Sequence, residues 1–412
     1  MTTSPSAVHG TSQAASRRQV RLVVATVFLT YTAMMVMTPL IAPLSREIGI
    51  AEWQVGLVVS TAAACIAVAG PIWGRLSQRV GPKRILTATV ASGTCAMVVF
   101  AAAAQAGVEG ALSAGAVFVV MLLVRGVWFG LSEAAVIPTA QAYIASVTPT
   151  VDERVRGVAA IGAATGTSMI VGAAAGGLLG GVSTLVPLWA VPVMLAATLL
   201  VIVIALRPAE PAEETVAPRR VSFTDQRVWP FLLISFGLFT ALGFIQILVG
   251  FLVQDRLALD TEQATLITGI ALLIAGVGLV ISQGIAVPRL HWSPVRYIRV
   301  GALIALGGFC LLVPDWGALG LLVAIFLIGV GLGMAAPGYT AGASLAVTAD
   351  EQGSVAGLVA ATNALTFIVA PAAATALYET SQQAPLVAAT VTTLLIAVFA
   401  FTHPRLRVTT GA

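Results

Sequence analysis

The chain has 412 residues, of which 58% are hydrophobic and only 9% charged. Soluble domains carry about 25% charged residues, so the composition excludes a water-soluble fold and predicts a polytopic membrane protein. The formal net charge of +4 does not point to nucleic acid, because the basic residues form short clusters between apolar runs and not a stripe with interleaved aromatics.

Met1 to Ser16 is rich in small polar residues and reads as a disordered tail, followed by Arg17, Arg18 and Arg21 ahead of the first apolar run. A basic flank before a first span is what the positive-inside rule predicts. Runs near the roughly 20 apolar residues needed to cross a bilayer occur twelve times, at about 22–44, 55–74, 85–106, 112–145, 157–181, 185–206, 229–253, 264–287, 298–313, 317–347, 354–377 and 384–402. Between the sixth and seventh lies PAEPAEETVAPRRVSFTDQ, a linker by its proline and charge. The expected fold is an all-α membrane protein of twelve transmembrane helices. It would have a cytoplasmic tail at 1–21, a six-helix bundle at 22–207, a linker at 208–227, a second six-helix bundle at 228–403 and a cytoplasmic tail at 404–412. Eighteen of the 21 basic residues then fall on the side of the N-terminus, only Arg46 and Arg256 on the other, and Arg125 inside a span. That bias is expected of a chain with both termini in the cytoplasm. Cys65, Cys95 and Cys310 sit in apolar runs without metal or disulfide spacing and are expected to be small core residues.

The fourth span carries the chemistry. MLLVRGVWFGLSEAAVI, residues 121–137, places Arg125 and Glu133 deep in an apolar run, where a charge costs a few kcal/mol and persists mainly when it faces protein or a water-filled path. In a regular α-helix eight residues give ~12 Å of rise and about 80° of rotation. The two side chains therefore do not form an i, i+4 pair, and each needs partners from other spans. Of the 17 acidic residues Glu133 alone lies well inside the membrane, and none of His9, His291 and His403 lies in a span. By elimination Glu133 is the expected proton carrier. The one lysine, Lys83, has no phosphate-binding loop before it, so the chain by itself is not an ATP-driven pump. No cofactor and no metal are expected, and no cluster within the spans suits catalysis.

The two sets of six spans echo each other. GLSEAAVIP (130–138), followed by Val147-Thr148 and Asp152-Glu153, answers to GVGLGMAAP (329–337), followed by Val347-Thr348 and Asp350-Glu351, at an offset of about 199 residues. Residues 170–175 (IVGAAA) likewise match 368–373 (IVAPAA), and Arg75-Leu76 matches Arg289-Leu290. Parallel repeats of this kind put a substrate site near the midplane between them.

On these residues the chain resembles the major facilitator superfamily of transporters over nearly its whole length. Gly74-Arg75-Leu76-Ser77-Gln78-Arg79-Val80-Gly81-Pro82-Lys83-Arg84 is similar to that family's basic loop motif, with Gln78 where the motif has an acidic residue. The resemblance implies that this loop is a tight turn locking helix ends in one of two states. Arg125 with Gly130, Ala134 and Ala135 resembles a second motif, to whose arginine the family assigns a part in proton coupling. Gly172-Ala173-Ala174-Ala175-Gly176-Gly177 is similar to a motif found mainly in exporters, with Ala173 in place of proline, and the repeat-related Pro371 keeps one.

The resemblance further implies a cavity lined mainly by spans one, four, seven and ten. Tyr31, Met35, Trp128, Ser132, Phe244, Gln246, Tyr339 and Asn363 are its substrate-binding candidates. That set is mostly apolar and suits an amphipathic compound better than a sugar. The expected function is proton-coupled efflux of drugs or metabolites by alternating access, performed by a monomer in a bacterial cytoplasmic membrane. Its partners would be a small-molecule substrate, protons and the lipid bilayer. The alternatives are an uptake carrier or facilitator of the same fold and a non-transporting receptor or scaffold.

Overall fold

A computed structural model describes residues 5–148, 150–208, 221–348 and 351–407. None of these residues forms a strand, and among them twelve helices are long and apolar enough to cross a membrane. They are α1 (Pro5–Ile48), α2 (Glu52–Val80), α3 (Pro82–Val108), α4 (Ala114–Val147), α5 (Val151–Gly180), α6 (Leu185–Ala205), α7 (Trp229–Leu257), α8 (Thr261–Leu290), α9 (Pro294–Leu312), α10 (Gly317–Leu345), α11 (Gln352–Thr380) and α12 (Ala384–Thr402). Each apolar run has its helix, and most helices outrun their runs by a few polar residues. The extreme case is α1, which starts at Pro5. The stretch read as a disordered tail is thus helical from Pro5 on, in keeping with the Ala and Gln it contains. Residues 209–220 of the linker and 408–412 of the C-terminal tail lie outside the described residues, and 221–228 form turns ahead of α7.

Packing gathers the helices into two compact units, one of residues 1–37, 64–172 and 185–214, the other of residues 38–63, 173–184 and 215–412. The division therefore differs from the one the linker suggests. The C-terminal ends of α1 and α5 and the N-terminal end of α2 pack with the second unit.

In the first unit, α1, α3, α4, α5 and α6 converge on Val23, Val27, Leu86, Val90, Tyr143, Ile161 and Ile202, all at most 3% exposed. One glutamine closes the end of α6. Gln19 Oε1 accepts from the Tyr143 hydroxyl at 2.6 Å and from the Arg207 N–H at 3.0 Å, and its amide donates to the Ala205 carbonyl at 3.3 Å. A helix end buried without such partners would leave orphan backbone groups.

In the second unit, glycines let helix backbones meet. A Cβ on Gly301 of α9 would stand 2.5 Å from the Gly331 carbonyl of α10, and one on Gly329 of α10 would stand 2.2 Å from the Ala275 carbonyl of α8. Such close approach is how helices associate where lipid is as apolar as the protein core. At the foot of α7, Arg227 donates to Asp225 at 2.8 Å and to Glu351 at 3.0 Å. These hydrogen bonds from Arg227 hold both carboxyls down to about 2.

Large apolar side chains such as Leu178, Ile204 and Leu319 stand exposed. Cys95 and Cys310 are exposed as well, and only Cys65 is half-buried, so the expectation of three core cysteines fails. In a bilayer the outside of a helix is as apolar as the inside, and an apolar neighbourhood in sequence does not tell which face is buried.

Candidate functional site

The fourth span is not one regular helix. Met121–Trp128, with Arg125 near its middle, forms π-helical turns, α-geometry returns over Phe129–Glu133, and the helix breaks at Ala134 and Ala135 before resuming over Val136–Val147. Pro138 explains the break, because it has no N–H to give the Ala134 carbonyl. The Ala135 N–H reaches only as far as the Ser132 carbonyl, at 3.4 Å. The Leu131 carbonyl that it would otherwise occupy accepts instead from the Trp73 indole of α2, at 2.8 Å. Turns of π type are rare and gather at functional sites. They also change the helical register, so the 80° separation of Arg125 and Glu133 expected of a regular helix does not apply.

Glu133 ends the short α-turn next to the break and is 6% exposed. Its Oε2 is sealed from solvent and has no hydrogen-bond partner among the described residues, a state that carries a desolvation penalty until a proton or a donor arrives. The Arg125 guanidinium lies over the Phe129 ring, 4.9 Å from its centroid, a cation–π contact. Among the described residues Arg125 makes no salt bridge. Its charge nonetheless acts on Glu133, and the charge of Glu133 acts on Tyr31 of α1. Tyr31, Arg125 and Glu133 thus share one electrostatic neighbourhood inside the first unit. Chemically it offers a carboxyl able to hold or release a proton, a fixed cation and a phenol.

The remaining candidates divide between the units. Trp128 donates its indole N–H to Ser92 Oγ of α3 at 2.8 Å, and Ser132 Oγ donates to the Trp128 carbonyl at 3.1 Å. Ser132 Oγ also donates to Ser92 Oγ at 3.4 Å, so both are tied to the α3 side of α4. Met35 packs where α1 crosses α5, since a Cβ on Gly172 would stand 2.4 Å from Met35 Cβ.

In the second unit, Asn363 Oδ1 of α11 accepts from Ser235 Oγ of α7 at 2.5 Å, and Tyr339 of α10 adjoins both. Phe239 stands edge-on to Tyr339 and to Phe367, with centroids 6.4 and 6.3 Å apart. Phe244 is buried and Gln246 half-buried on α7. Ser235, Phe239 and Phe367 escaped the sequence reading. The signal was there: Ser235 and Phe239 are four residues apart on α7, and Asn363 and Phe367 are four apart on α11, so each pair shares a helix face.

The loop and glycine motifs take defined places. Gly81 turns α2 into α3 with φ of 99°, a left-handed conformation that favours glycine. A Cβ on Gly74 would sit 3.5 Å from Pro138, where α2 passes the break in α4. Lys83 donates to the Val203 carbonyl of α6 at 2.8 Å, whereas Arg75, Gln78, Arg79 and Arg84 are exposed. Gly172 and Gly176 are buried, and Gly177 is buried against Gly269 of α8. Pro371 opens α11 to α2: a Cβ on Gly56 would stand 2.6 Å from the Pro371 carbonyl, and the Ala372 N–H donates to Ser60 Oγ at 3.1 Å. Among the described residues no group of three or more His, Cys, Asp or Glu side chains could hold a metal ion.

Comparison with known proteins agrees with this architecture. The chain is similar to the class C tetracycline resistance protein of Escherichia coli, with 28% identity over 337 residues, 79% of this chain and 80% of that protein. In fold it is similar to a bacterial homologue of the human lysosomal transporter Spinster, with a TM-score of 0.74 and 13% identity over 94% of this chain and 96% of that one. It is also similar to the human organic anion transporter MFSD10 (TETRAN), with a TM-score of 0.63 and 18% identity over 93% and 99%. Residues 23–371 match the Major Facilitator Superfamily, and the chain belongs to that superfamily of multi-pass membrane proteins, which carry small molecules and are not enzymes.

Proposed function

We propose that the protein exports small amphipathic compounds in exchange for protons, by alternating access, as a monomer in the cytoplasmic membrane with both termini inside. The observation that carries this reading is the buried Oε2 of Glu133, without a hydrogen-bond partner and close to the charge of Arg125. Such an oxygen is stabilised either by a proton or by a cationic or donor group of a substrate. Holding one at the expense of the other is what antiport requires. Tyr31, Met35, Trp128 and Ser132 of the first unit and Phe244, Gln246, Tyr339 and Asn363 of the second are the residues assigned to substrate. The basic loop and the glycines of α5 are assigned to the conformational change. The likeness to a tetracycline resistance protein supports export over uptake. One charge crossing ~150 mV is worth about 3.5 kcal/mol, enough for a gradient of a few hundredfold.

The test is proton movement in proteoliposomes, followed with a pH-sensitive dye while lipophilic cations and other amphipathic compounds are added. Substrate-dependent proton flux is expected, and Glu133→Gln is expected to abolish it. Full gradient-driven efflux by Glu133→Gln would remove the carrier role. Substrate movement without proton flux would make the protein a facilitator.

A further inference from the structure

The C-terminal end of α1 and the N-terminal end of α2 pack within the second unit, and a closed set of polar contacts holds them there. Arg46 of α1 donates Nε and Nη2 to Glu52 Oε1 of α2 at 3.2 and 2.9 Å. The same guanidinium forks onto Asp255 of α7, Nη2 to Oδ2 at 2.9 Å and Nη1 to Oδ1. Asp255 Oδ2 accepts two more bonds, from the Tyr378 hydroxyl of α11 at 2.6 Å and from the Gln382 amide at 3.1 Å. Phe251, one turn before Asp255, lies 5.1 Å from the Arg46 guanidinium and 5.8 Å from the Tyr378 ring. A second tie runs from the Trp53 N–H of α2 to Glu379 Oε1 of α11 at 3.2 Å.

The backbones around this cluster touch through glycine. A Cβ on Gly250 of α7 would stand 2.8 Å from Ala42 Cβ of α1, and one on Gly177 of α5 would stand 2.7 Å from Gly269 Cα of α8. Helix ends from both sequence repeats therefore meet through close backbone contacts, with the charged cluster and the Phe251 and Tyr378 rings beside them. The side chains of Arg46 and Asp255 are 23% and 19% exposed, so water reaches the pair as it parts. Water replaces the bonds that such a partly exposed pair loses, so the contact closes with defined geometry yet separates at modest net cost.

We propose that Arg46 and Asp255 form an electrostatic latch that fastens the ends of α1 and α2 to α7 and α11, and that the latch opens in each transport cycle. Alternating access requires helix ends of the two repeats to part on each side in turn, and the charged groups of this closure, Arg46, Glu52 and Asp255, come from three spans. Asp255 is the hub: it takes four bonds from three donor residues, and Arg46 links it to Glu52. The latch depends on neither the direction of transport nor its coupling to protons.

The test needs no substrate. Thr268→Cys serves as reporter in a variant whose Cys65, Cys95 and Cys310 are replaced by alanine. Thr268 is 1% exposed, and its methyl lies 3.7 Å from where a Cβ on Gly250 would be. Its labelling by a maleimide is followed on purified protein in detergent, where both faces are open to reagent. Arg46→Gln and Asp255→Asn are each expected to raise the rate about tenfold, and the double substitution no further than the faster single. Tyr378→Phe, which keeps the ring and removes one donor, is expected to raise it about threefold, and it decides the matter should a charge variant fail to fold. Unchanged rates, or single effects that multiply in the double variant, would overturn the latch. So would an equal rise in Arg256→Gln, because that arginine donates only to the carbonyls of residues 312–314.

Discussion

The carboxyl of Glu133 owes its setting to a proline five residues on and to an indole from another span. Pro138 breaks the ladder of α4, and Trp73 occupies the Leu131 carbonyl that the break releases. Replacing Trp73 by Phe keeps most of the ring and leaves that carbonyl unpaired, a loss of about 1 kcal/mol. The thermal midpoint of the purified protein should fall by roughly one degree, while the proposed proton-coupled flux in proteoliposomes should fall about threefold because the turn bearing Glu133 is no longer held. Unchanged flux would show that the indole does not aim the carboxyl. Arg125 and Glu133 were legible as candidates because a charge in an apolar run is costly and conspicuous. Trp73 was not, since its bond to Leu131 joins residues 58 positions apart. The pairing of Ser235 with Asn363 was hidden for the same reason, though the four-residue spacing on each helix marked the faces involved.

At the scale of the element, hydropathy located all twelve spans but said nothing of their internal hydrogen bonding, so the π-turns of α4 and those at Ser282–Ala286 in α8 came only with the structure. The glycines of α5 show the same limit. Gly162 and Gly166 have open space where a Cβ would go, whereas a Cβ on Gly172 or Gly177 would stand 2.4 Å from Met35 Cβ or 2.7 Å from Gly269 Cα. A small-xxx-small pattern marks a helix that others can approach, not the turn on which they do. Gly166→Ala should therefore be neutral or stabilise the protein by about 0.5–1 kcal/mol through helix propensity. Gly269→Val forces α5 and α8 apart and should cost about 1–3 kcal/mol as overpacking does. Thermal midpoints of the two variants, measured side by side, check the contrast. Equal losses would mean that open space at Gly166 is not what sets its tolerance.

At the scale of the whole molecule, the linker and the repeats divided the chain into two sets of six, and packing divides it otherwise because the ends of α1, α2 and α5 join the second unit. Repeats report which helices are built alike, not which of them touch. The proposed orientation rests on a different signal, the gathering of 18 of 21 basic residues in segments that twelve spans put on one side; an anionic inner leaflet would attract each by about 1 kcal/mol. Two exposed positions test it in the absence of the native cysteines: Trp316, 62% exposed just before α10, and Phe223, 54% exposed just before α7. With both termini inside, Trp316→Cys should react with an impermeant maleimide on intact cells, and Phe223→Cys only after the membrane is opened. The reverse pattern would invert the orientation and place the Arg46–Asp255 cluster on the cytoplasmic face. Because α7, α8 and α9 lie between the two positions, they must fall on opposite sides whichever way the chain is inserted. Reaction of both from the same side would show that one of those three helices does not cross the membrane.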